Sequence, residues 1–149
     1  MLLHLANYIS IIPLAIIIFL AYNIFRYNRH TKILLYFLLV SFITQILKTL
    51  PYPDNIIEYT YRPYNACDCD YISFNGDVGK QRGMPSGHVS TITFFATYMT
   101  YKTKNLSYLA LIPATIWARY YKDCHNIIQM IIGLFLGLLT TSILIYKKI

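Results

Sequence analysis

The stretch "RGMPSGHVSTITFF", Arg82 to Phe95, sets a Pro-Ser-Gly-His turn directly before an apolar run. Proline and glycine mark the turn, and the run behind them reads as a helix that begins there. His88 therefore stands at the mouth of an apolar helix. In a membrane protein an ionisable side chain in that place is costly and marks function by default.

The composition supports a membrane setting. The chain has 149 residues, of which 56% are hydrophobic and 13% charged, with a formal net charge of +7. A soluble domain carries roughly a quarter charged residues, so apolar surface is left to face lipid. The length suits one domain, 1–149. The first apolar run has no basic leading region, reaches Phe25 and is followed by Arg26 and Arg29. That pattern predicts an anchor that stays rather than a removable signal.

Crossing a bilayer takes about twenty apolar residues per helix. The segments that come close are 8–25, 33–50, 89–101, 106–120 and 127–146. The expected fold class is therefore all-α, an integral membrane helical bundle of about five transmembrane helices. The third and fourth segments are short, which predicts a sunken pocket reached by water. Pro13 and Pro113 lie within apolar runs and are expected to bend their helices, not break them.

A long polar loop, 51–88, separates the second and third helices and is the only irregular region expected. Its prolines and glycines signal turns, while Tyr52, Tyr59, Tyr61, Tyr64 and Tyr71 argue for a folded cap on the membrane surface.

With five spans, one face of the membrane receives Arg26, Arg29, Lys32, Lys102, Lys104, Lys147 and Lys148. The other receives the cap, the Arg119 to His125 turn and every acidic residue: Asp54, Glu58, Asp68, Asp70, Asp77 and Asp123. Counting Lys and Arg in short loops places the first face in the cytoplasm. The Pro-Ser-Gly-His turn is then extracytoplasmic, lumenal or external, where Cys67 and Cys69 meet oxidant. Cys67, Cys69 and Cys124 match no four-ligand zinc pattern.

On the same face lies "ARYYKDCHNIIQ", Ala118 to Gln129, with Arg119 six residues before His125. Two histidines and several arginines so converge, a set that suits phosphoryl transfer. Guanidinium groups bind phosphate oxygens as a fork and stabilise transition-state charge. Backbone amides at a helix N-terminus add to this. One histidine can attack phosphorus while the other protonates the leaving alkoxide and later activates water. That chemistry requires no metal and no cofactor.

Pro85 to His88 together with Arg-x5-His at Arg119 to His125 resembles the PAP2 family, the type 2 phosphatidic acid phosphatases related in fold to vanadium haloperoxidases. "YRPY" supplies Arg62 and Pro63 for the family's Lys-x6-Arg-Pro element. The stretch from Arg62 to His88 is also similar to short PAP2-like membrane proteins of large DNA viruses. The resemblance implies that His125 is the nucleophile and His88 the acid. It implies phosphate binding by Arg62, Arg119, Ser86, Gly87 and a lysine.

This sequence departs from the family pattern at three places. Asn55 stands where the lysine belongs; Lys48, closing the second helix, is assigned that role, with Lys80 as the competitor. Ala118 replaces the serine before Arg119. Gln129 replaces the aspartate four residues after the nucleophile, a spacing that puts it on the same helical face as His125. Its amide oxygen can orient the imidazole, but a neutral acceptor does not stabilise imidazolium as a carboxylate does. Asp123 is a minor candidate for that task.

The expectation is a metal-independent phosphatase acting on a lipid phosphate or diphosphate, with membrane lipids and no nucleic acid as partners. The alternative is a catalytically weak or inactive PAP2-like protein that binds anionic lipid headgroups or acts as a scaffold. Gly133 and Gly137 form a GxxxG step that reads as close packing within the chain. His4, His30 and Trp117 read as interfacial residues outside the site.

Overall fold

A computed structural model describes residues 1–27, 31–70, 72 and 76–147. Arg29, His30, Tyr71 and Lys148, given roles above, lie outside the described residues. The chain is all-helical: α1 Leu2–Tyr27, α2 Thr31–Thr49, α3 Asp54–Thr60, α4 Gly87–Thr103, α5 Leu111–Tyr121 and α6 Ile127–Tyr146. A 3-10 helix, Leu106–Ala110, precedes α5. Among the described residues there is no strand, only isolated bridges pairing Tyr61 with Arg82 and Cys67 with Asp77.

Three helices, α1, α2 and α6, are long and apolar enough to cross a membrane. Their outer faces carry large apolar side chains such as Phe19, Phe42 and Phe135, each more than half exposed. Such a surface is stable against lipid and unfavourable against water.

Helix α4, which begins inside the opening motif, is the central element. His88 to Ala96 are all buried, and the helix packs against α6, α2, α5 and the 3-10 turn. Ile92, Phe94 and Tyr98 of α4 form the core with Leu20 of α1, Phe37 of α2 and Leu144 of α6. Two buried hydroxyls on α4 are satisfied locally: Ser90 donates to the Ser86 carbonyl at 2.8 Å and Thr91 to the Gly87 carbonyl at 2.9 Å. This return to the preceding turn is how a helix carries Ser and Thr through an apolar interior.

The structure corrects the sequence reading in three places. The 51–88 loop is not wholly irregular, because Asp54–Thr60 forms α3, with Pro53 before it and an acidic residue in its first turn. Those features favour a helix start. The expected helix at 106–120 is divided: the Asn105 side chain accepts from the Ser107 amide and winds a 3-10 turn before α5. Pro113 then falls in the first turn of α5, where its missing N–H leaves no intrahelical bond unmade. It lies at a helix start rather than within a helix interior.

The GxxxG step packs α6 onto α4. A Cβ on Gly133 would lie 2.8 Å from the Ser86 carbonyl oxygen, and one on Gly137 would lie 2.5 Å from that of Ser90. Backbone atoms at such distances cannot yield without moving a helix. Gly137→Ala is expected to destabilise the bundle by about 1–3 kcal/mol, measured as a lower thermal unfolding midpoint in detergent micelles.

Candidate active site

The α4 N-terminus and the start of α6 meet through the backbone. Ser86, the N-cap of α4, donates its N–H to the Gln129 carbonyl at 3.0 Å. Asn126 caps α6 by accepting the Gln129 N–H at 2.9 Å. These contacts bring the two sequence motifs together. They also place a cavity of about 240 Å³ between the motifs, lined by Gln45, Lys48, Arg62, Cys69, Asp70, Gly87, His88 and His125. A larger apolar cavity of about 400 Å³, lined by Pro113, Trp117, Met130 and Leu134 among others, lacks the polar groups that chemistry requires.

Lys48, Arg62, Gly87, His88 and His125 line the polar cavity, while Ser86, Arg119 and Gln129 are fully buried and do not line it. Lys48 comes from the last turn of α2, where the helix dipole favours a cation. Helix α3 fills the chain between Lys48 and Arg62, which accounts for the wide interval between them. Lys80 lies elsewhere, with its ammonium 4.8 Å from the Tyr64 ring centroid, and borders a separate surface cavity beside Glu58 and Asn126.

Arg119 is fully buried. It donates from Nη1 to the Ser10 hydroxyl at 2.9 Å and from Nη2 to the Cys69 carbonyl at 2.6 Å. Arg62 donates from Nη1 to the Cys124 carbonyl at 3.3 Å. Cys69 and Cys124 form a disulfide, and Cys67 is a free, exposed cysteine.

His125 sits in the turn between α5 and α6, 2% exposed. Its Nδ1 lies 2.9 Å from Gln129 Oε1. The Gln129 amide nitrogen donates to the carbonyls of Tyr59 at 3.0 Å and Tyr61 at 2.7 Å. Those two acceptors settle which end of the amide faces the ring, because only the oxygen remains for His125. Nδ1 must then carry the proton, leaving Nε2 with its lone pair. Nε2 is buried and has no hydrogen-bond partner among the described residues. Burial above all, then the charges of Arg62 and Arg119, hold the His125 pKa well below the ordinary imidazole range, against the opposing bond from Gln129. The ring is neutral at pH 7.

The chain matches the family model described as PAP2 superfamily over residues 29–148. It belongs to the PAP2 superfamily. Membership brings phosphatase-type chemistry on phosphate esters and a typical association with membranes. No curated protein and no solved structure gives a significant match.

Within this PAP2 chain the structure adds residues that motif reading missed. Gly83 gives room to the site: a Cβ there would lie 2.6 Å from Gln129 Oε1 and 2.8 Å from Arg62 Cγ. Asn126 ties the cap by donating to the Tyr59 carbonyl at 2.9 Å. Its Asn-x-x-Gln spacing is a readable helix-start signal. Ser10 and the carbonyls of Tyr59 and Tyr61 leave no trace in local sequence. Asp123 has φ 51° and an exposed side chain, so it does not serve His125.

Gln129 thus does what an aspartate could not, since its two N–H donors dock the cap while its oxygen holds the ring. Gln129→Leu is expected to lower kcat by about 10²–10⁴-fold, because the favoured tautomer is lost. Gln129→Glu keeps the acceptor but turns an oxygen toward the two carbonyls, and should lower the unfolding midpoint. Steady-state rates and thermal scans of both variants check this pair.

Proposed function

We propose that this chain is a five-span lipid phosphate phosphatase that works through a phosphohistidine intermediate without a metal ion. The observation that carries the reading is the buried His125 Nε2, its lone pair set by Gln129, in one cavity with Lys48, Arg62 and His88.

In the reaction, Lys48, Arg62 and Arg119 hold the phosphate oxygens, aided by Ser86 and Gly87 at the α4 N-terminus. His125 Nε2 attacks phosphorus in line as the bond to the lipid oxygen breaks. His88, protonated once the bound phosphate's negative charge offsets the surrounding cations, gives its proton to that oxygen. The neutral His88 then takes a proton from water, whose oxygen attacks the phosphohistidine and releases inorganic phosphate. The surrounding cations disfavour a bound divalent metal and supply the same charge stabilisation.

Helix α4 has 17 residues, about 26 Å of helix against a hydrocarbon core of ~30 Å. It completes the span with the cap recessed above it, and the 3-10 turn with α5 forms the remaining crossing. The Cys69–Cys124 disulfide supports an oxidising, extracytoplasmic face for the site.

The test is phosphate release from phosphatidic acid or a polyprenyl diphosphate by purified protein in micelles. Activity is expected to survive a chelator and to be blocked by orthovanadate, whose trigonal-bipyramidal adduct mimics the transition state. Loss of activity on chelation would refute the mechanism. The neutral Gln129 beside His125 favours a second reading, a PAP2-like protein that binds anionic headgroups without turnover. Background rates that are equal for wild type, His88→Ala and His125→Ala would establish that reading instead.

A further inference from the structure

Both arginines donate to backbone carbonyls of one disulfide. Arg119 Nη2 donates to the carbonyl of Cys69, and Arg62 Nη1 to the carbonyl of Cys124. These half-cystines are 55 residues apart in sequence, with Cα atoms 5.5 Å apart. Their side chains are buried together with Ala66 and Val78. Cys69 lines the polar cavity, and Cys124 immediately precedes His125.

One covalent bond therefore fixes one acceptor of Arg119, an acceptor of Arg62 and the backbone that delivers His125. A guanidinium binds phosphate as a directed fork, so its value depends on where the fork points. The Cys69 and Cys124 carbonyls belong to irregular segments, the cap and the α5–α6 turn. Irregular segments drift more readily than helices when a cross-link is lost.

We propose that the Cys69–Cys124 disulfide is a positioning element of the phosphate site, so that phosphate affinity depends on its being closed. This rests on reading the cavity as a phosphate site. Opening it takes a dithiol reductant: two electrons and two protons pass to the S–S bond, giving two thiols, while the reductant becomes a disulfide. The arginines remain in place in the chain but lose their common alignment.

The experiment measures inorganic phosphate binding by calorimetry with the full chain in micelles. The protein is oxidised, or reduced with dithiothreitol and freed of reductant anaerobically, or reoxidised. Reduction, verified by two newly titrating thiols, is expected to weaken binding about tenfold or more with helical circular dichroism unchanged. Reoxidation restores the affinity, and Cys67→Ser binds as wild type does. In Arg119→Lys, where one fork is already gone, reduction costs about threefold or less, because the two changes act on the same alignment. A cross-link that only stabilised the fold would lower the unfolding midpoint in both backgrounds alike.

If reduction melts the helices, the Cys69→Ala, Cys124→Val pair refills the buried cluster and is measured in the same way. Wild-type affinity in that pair, or in reduced protein of unchanged helicity, overturns the proposal. Failure of the oxidised wild type to bind phosphate overturns the phosphate-site reading and this inference together. Binding that survives reduction overturns the positioning role alone.

Discussion

His125→Ala is expected to lower phosphate release by at least about 10⁴-fold, the scale of losing a nucleophile for which no neighbour substitutes. His88 shares the cavity, but the proposed mechanism uses it as the proton donor, and the Gln129 oxygen that prepares a lone pair faces His125. The effect should fall on kcat, because the phosphate-binding cations remain. Inorganic phosphate should still bind to the variant. Helical circular dichroism should match wild type, since His125 contributes one side-chain bond and no element of the apolar core. A rapid-quench search for acid-labile, base-stable phosphoprotein gives the complementary result: present in wild type, absent from His125→Ala. A variant retaining a tenth of the wild-type rate would exclude His125 as nucleophile.

Arg119→Ala ranks next, with an expected loss of about 10³-fold in kcat/KM. Removing one preorganised donor from a transition state already costs about 10²–10³-fold, and here a full charge goes with it. Stability also falls, by about 1–3 kcal/mol, as the Ser10 hydroxyl and the Cys69 carbonyl lose a buried partner. Arg119→Lys separates the two contributions. It returns the charge without the fork, so it should recover about tenfold of the lost rate while leaving one of the two acceptors unmade. Activity in Arg119→Lys equal to wild type would show that charge alone suffices and that the forked geometry is irrelevant.

Motif spacing makes most of the candidate residues that line the polar cavity legible in the sequence. Arg119 and His125 are separated by one turn, and Pro85 to His88 can serve only a helix start, so these local signals survive folding. Lys48 was harder, because α3 lies between it and Arg62. A seven-residue helix there is too short for apolar periodicity to announce it. The divided fourth segment was hidden for a similar reason: apolar runs look alike whether wound as 3-10 or α, and the Asn105 turn that separates them is one side-chain bond.

Composition and apolar run length pointed to helices long and apolar enough to cross a membrane, because lipid leaves a backbone few other ways to satisfy its polar groups. Local motifs settled which residue types gather at the mouth of α4. The chain order alone could not say that Ser10 of the first helix would hold Arg119, or that Cys69 would pair with Cys124 and not with its neighbour Cys67. Nor could it say that Gln129 would spend its nitrogen on Tyr59 and Tyr61 and so turn its oxygen to the imidazole. The bonds of Arg119, of the disulfide and of the Gln129 nitrogen join groups far apart in sequence, and their partners are chosen by which segments pack together. Packing of the cap onto α6 is what converts an amide in an aspartate's place into an orienting acceptor for His125.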